Sequence, residues 1–203
     1  PVIPAKVAGL TIITRELALD ASPAAAQLVG DGLARSIAQR VDEAYLGNLA
    51  APAPAGLASL AGVSNVTAGA AWSSADPFAE AQYAAEAVGA TVTAWIAHPG
   101  DALALSVVKE ATGSVRPLLT PDPTTPARRL IFGVPLITSP YCQPGVVWGV
   151  PRDRVLIVLR EGVTVVVDNS AYFSSDRVGV RATMRVAFGF PHEAAVVRVA
   201  LTV

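Results

Sequence analysis

The chain has 203 residues, 16 acidic side chains against 15 basic ones, and a single cysteine. Its composition, 52% hydrophobic and 15% charged, is the reverse of the polar, highly charged signature of disorder. A formal net charge of −1 argues against a general polyanion binder.

One cysteine closes no internal disulfide, and no CxxC or Cys/His cluster suggests a metal centre. Two long stretches carry no charge, Ala44–Ala75 and Leu130–Pro151, but both are broken by proline and glycine. Neither supplies the roughly 20 unbroken apolar residues of a membrane helix. No basic-then-apolar leader opens the chain, which begins at Pro1 and reads as a fragment or processed product.

In chain order, residues 1–14 are rich in Val, Ile and Thr and predict an extended arm or strand. Ser22-Pro23 is a helix start, serine as N-cap and proline at the first helical position. Val29, Leu33, Ile37 and Val41 then recur every four residues. They predict one long amphipathic helix ending near Gly47-Asn48. Residues 50–75 read as largely irregular. Asp76-Pro77 opens a second helix to about residue 89, and Thr91–Ala97 is a buried strand. His98-Pro99-Gly100-Asp101 turns into a third helix over 101–111, with Leu103, Val107 and Val108 inward and Gly113 as its stop.

Four prolines make 117–126 a loop. Leu130–Ser139 and Val146–Gly149 are short strands. Arg154–Arg160 and Val163–Asp168 read as a hairpin turning at Glu161-Gly162. From Arg177 to Phe190 apolar residues fall on even positions, the period of a long strand with one buried face. Ala194–Val203 is a last strand. The fold class is α+β, a long helix beside long strands from the far end of the chain with a smaller mixed unit between.

The reactive inventory is thin: Cys142, His98 and His192. Cys142 in a proline-flanked turn reads first as a small packed thiol and only then as the nucleophile of a hydrolase. Each histidine reads as a turn residue. No GxSxG, HExxH, GxxxxGK[ST] or GxGxxG occurs, and no catalytic, cofactor-binding or metal residue is assigned. The most distinctive feature is a row of arginines, Arg177, Arg181 and Arg185, on the strand's other face and about 13 Å apart per step. It reads either as the solvated face of an edge or outer strand or as a set of intersubunit partners, since arginine pairs carboxylates bidentately. A nucleic-acid groove is a weaker alternative, because interleaved aromatics are missing.

Six segments in this order resemble the major capsid proteins of tailed bacteriophages, of the Hong Kong 97 type. They are KVAGLTIITRELALDAS, the helix LVGDGLARSIAQRVDEAYLGN, the turn Pro54–Leu57, AWIAHPGDALALSVVKEATG, LIFGVPLITSP, and the run from Tyr172-Phe173-x-x-Asp176 into VGVRATMRVAFGFPHEAAV. No one of them is diagnostic; the ordered set is what is specific.

The resemblance implies the Hong Kong 97-type capsid fold, with a spine helix, long peripheral (P) domain strands and an inserted axial (A) domain. Residues 1–14 would be the return strand of an E-loop whose remainder, with the N-terminal arm, is missing. Residues 15–63 and 151–193 would form the P domain, and 64–150 with 194–203 the A domain. The 117–126 loop would lie near the capsomer centre.

It implies a structural shell subunit rather than an enzyme, without cofactors, in pentamers and hexamers of a phage or prophage head enclosing DNA. Scaffold protein, protease and portal would be its partners, no membrane would be involved, and assembly would occur in the bacterial host cytoplasm. An encapsulin-type nanocompartment is the alternative. Candidate intersubunit contacts are Arg177, Arg181, Arg185, Asp42 and Glu43. Some relatives cross-link a lysine to an asparagine with a glutamate assisting. Asp176 and Thr183 stand where the asparagine and glutamate would be, and Lys6 lies on the return strand, so no isopeptide bond is expected.

Overall fold

In a computed structural model, residues 2–20, 23–110, 114, 117–119 and 129–202 are described. The β-branched start folds as strand β1 (Ala5–Thr14), alternately half-buried and exposed. The Thr14 hydroxyl accepts the Leu17 N–H at 3.3 Å and so caps a one-turn helix, α1 (Arg15–Asp20), which the sequence reading did not separate. The long helix α2 runs from Pro23 to Leu46, one residue short of the Gly47 that stops it. Its expected cap, Ser22, lies outside the described residues.

Two compact units follow from the chain's contacts, each described by itself: residues 1–56 with 157–188, and residues 57–156 with 189–203.

The first unit holds a three-stranded sheet in the order β1-β8-β7, with β7 spanning Leu156–Asp168 and β8 spanning Arg177–Gly189. β1 runs antiparallel to β8, Ala5 opposite Val186 through Thr14 opposite Arg177. The period-two pattern of β8 is realised as one buried row: Val180 and Ala182 pack against Leu33 and Ile37 of α2, with Val7, Ile13, Val41 and Met184 around them. Gly56 packs on the C-terminal turn of α2; a Cβ there would collide with the carbonyl oxygens of Ala44 and Gly47 and lie 2.8 Å from that of Tyr45.

β7 corrects the expected hairpin, because one strand of 13 residues passes straight through Glu161-Gly162. The tight two-residue turn needs positive φ at both central positions or at the first, and neither residue has it. The β-branched run Val163–Val167 on one side favours extension instead. β8 is also corrected, from an edge or outer strand to the central strand of its sheet.

The second unit carries a six-stranded mixed sheet, β2-β9-β6-β3-β5-β4. Its strands are β2 (Ser64–Thr67), β3 (Ala94–Ala97), β4 (Arg129–Ile131), β5 (Val134–Thr138), β6 (Val146–Val150) and β9 (Val197–Ala200). β2 pairs parallel to β9 and β3 parallel to β5, while the other ladders are antiparallel. The irregular stretch read over 50–75 thus contains a strand, and the strand read over 91–97 shortens to its last four residues. The single strand read over 130–139 is a hairpin: Phe132 and Gly133 take φ of 49° and 77°, both positive as the tightest hairpin turn demands.

Helix α3 (Asp76–Ala87) buries Phe78, Ala81 and Ala85. Helix α4 (Pro99–Val107) begins on His98, whose Nδ1 accepts the Gly100 N–H at 3.1 Å. The inward face of α4 differs from the reading: Ala102 and Leu105 are buried, and Leu103 and Val107 are exposed. The cause is Asp101. Its carboxylate accepts the Trp72 Nε1–H and the Gly145 N–H, both at 2.8 Å, which turns the Asp101–Ala102–Leu105 side of the helix into the core. The expected helix stop Gly113 and most of the 117–126 loop lie outside the described residues.

The core of this unit centres on Phe78 and Trp95, both fully buried, with ring centroids 5.2 Å apart and planes at 86°. That is the edge-to-face geometry aromatic pairs prefer.

Candidate functional site

Strand pleating sends the odd residues of β8 to the face opposite α2. Arg177, Arg181 and Arg185 are all exposed there. Across the ladder, Lys6 stands opposite Arg185, Leu10 opposite Arg181 and Thr14 opposite Arg177. Two like charges directly opposite each other are unfavourable, and Lys6 and Arg185 form such an exposed pair at this end of the face.

At the other end, Arg15 approaches Asp176 at 3.7 Å. Both are largely exposed, so the pair contributes little to stability. A cleft of about 270 Å³ opens between Leu10, Val166, Asp168, Tyr172 and Arg181. The Ser170 hydroxyl and N–H, at 2.6 and 2.8 Å, together with the Arg181 charge, hold the Asp168 carboxyl below its usual range.

The two candidate acids on α2 part company. Asp42 is exposed. Glu43 is half-buried and accepts a 2.6 Å bond from Arg40. A groove of about 730 Å³ between the start of β1 and the loop around Pro52 and Pro54 counts Arg40, Glu43, Lys6 and Arg185 among its lining residues. Thr183 is engaged by the Thr164 hydroxyl at 3.2 Å.

The sequence reading missed a larger feature. β7 is exposed along all 13 residues, and Ile157, Leu159, Val163, Val165 and Val167 are each more than half exposed. Its signal was present: the run RVLIVLREGVTVVVD is apolar at both parities, the pattern of a strand covered on two faces.

Cys142 does not have the setting of a nucleophile. It is buried, and its Sγ–H is directed at the carbonyl oxygens of Val146 (3.5 Å) and Ile96 (3.8 Å). Burial, and then the Asp101 charge, push the thiol up to about 11. His98, the nearest imidazole in sequence, spends Nδ1 on its helix cap. Alkylation of the folded protein by iodoacetamide at pH 8 is therefore expected to run about 100-fold slower than that of an unstructured cysteine, whose thiolate is the reacting species. A rate equal to or above the peptide's would restore the hydrolase reading.

Among the described residues, no group of three His, Cys, Asp or Glu side chains could hold a metal ion. No helix among them is long and apolar enough to cross a membrane.

A family model, the phage capsid family, matches residues 2–201. No curated protein matches. Among solved structures, the capsid of an empty GTA particle, computed with C5 symmetry, is 18% identical and superposes with a TM-score of 0.79, over 100% of this chain and 73% of that one. A chain from Microbacterium phage Oxtober96 is 16% identical with a TM-score of 0.77, over 99% and 73%. A virus-like particle from Pyrococcus furiosus is 11% identical with a TM-score of 0.66, over 97% and 75%.

At such identities the structural likeness speaks for the fold, and the family model for the lineage. The chain belongs to the phage capsid family, as a capsid shell subunit of α+β, Hong Kong 97-type fold.

Proposed function

We propose that this subunit builds the head of a phage or prophage and that the closed shell encloses DNA without reading its sequence. The observation that carries the proposal is the family match over residues 2–201. In this reading the unit built on α2 and β8 is the peripheral domain and the unit built on the six-stranded sheet is the axial domain. Arg177, Arg181, Arg185 and Asp42 contact neighbouring subunits as a polar rim. Glu43, already bonded to Arg40, orients that arginine toward the groove it shares with Lys6 and Arg185. Closed symmetry then arises from many modest contacts rather than one tight one. No isopeptide bond joins the subunits, and assembly takes place in the host cytoplasm with scaffold, protease and portal.

The test is expression of the full-length gene product, with its neighbouring scaffold gene if there is one, followed by light scattering, negative-stain microscopy and nuclease treatment. Closed shells, or pentamers and hexamers, are expected, with nuclease-resistant DNA in particles recovered from phage-producing cells. Shells that hold protein cargo and no DNA would replace the phage head by the encapsulin alternative. A strictly monomeric product across salt and concentration would overturn both.

A further inference from the structure

We draw no further inference here: the strongest candidate, the exposed cationic face that Lys6, Arg177, Arg181 and Arg185 form on the three-stranded sheet, carries none, because nothing in the structure shows what covers it and contact with a neighbouring subunit is the role already proposed for it.

Discussion

Replacing Trp95 by alanine is expected to lower the stability of the second unit by about 3–5 kcal/mol, the range for emptying a buried aromatic site. Trp95 has no solvent exposure. It stands edge-on to Phe78, and it lies over Gly149 so closely that a Cβ there would sit 2.6 Å from the Trp95 ring. The indole thus occupies space vacated on one side by the absence of a side chain and closed on the other by α3. Neighbours fixed in two sheet ladders, β3 with β5 and β3 with β6, have little freedom to collapse into the hole. The check is thermal and urea unfolding followed by far-UV circular dichroism, which does not depend on the lost fluorophore. A cost below about 1.5 kcal/mol would mean that α3 settles into the space, and the ring would then not be the keystone of this core.

The second large effect is expected from Gly56→Ala. The added methyl would meet three backbone carbonyl oxygens, those of Ala44, Tyr45 and Gly47. These belong to the end of α2 and cannot rotate away as a flexible side chain could. Overpacking costs about 1–3 kcal/mol when side chains can shift, so a backbone collision should cost at least about 3 kcal/mol. Gly32 provides the contrast. It lies within the same helix with open space where a Cβ would go, so Gly32→Ala should stabilise by about 0.5–1 kcal/mol through helix propensity alone. If the two alanines shift the unfolding midpoint alike, Gly56 tolerates a side chain and the close approach is not a constraint.

Much of the architecture was legible because two periodicities are strong. Leu33, Ile37 and Val41 set the buried stripe of α2, and the even residues of β8 set its buried face. Both patterns extend over enough residues to outweigh local noise. The same patterns are silent on what lies beside a strand. Period two is identical for an edge strand and a central one, so the arginine row does not reveal that β8 sits between β1 and β7.

Local turn chemistry misled at Glu161-Gly162, where a plausible turn pair lies inside a β-branched run. It was unrecognisable at Phe132-Gly133, where phenylalanine takes a positive φ that asparagine usually fills. The face of α4 was misread because a buried carboxylate, Asp101, outweighs Leu103 and Val107. That outcome depends on Trp72 and Gly145, both more than 25 residues away in sequence. As for the candidate contacts, residue identity sufficed to pick out exposed arginines. The run apolar at both parities marks β7 in the sequence, but its exposure is a property of what the fold fails to place over it.

The strand orders carry a consequence for synthesis. β8 slots between β1 and β7, and β9 slots between β2 and β6, so the strand that completes each sheet is an interior one made after its partners. At ~5–20 residues per second on the ribosome, β1 waits on the order of ten seconds before β8 emerges to receive it. Over that interval the apolar stripe of α2 has no sheet to rest on, and β2 has no strand partner until residues 197–200 leave the exit tunnel. Both units thus close only once β8 and β9 have been made, and a ribosome paused before residue 177 displays a chain in which neither sheet can close.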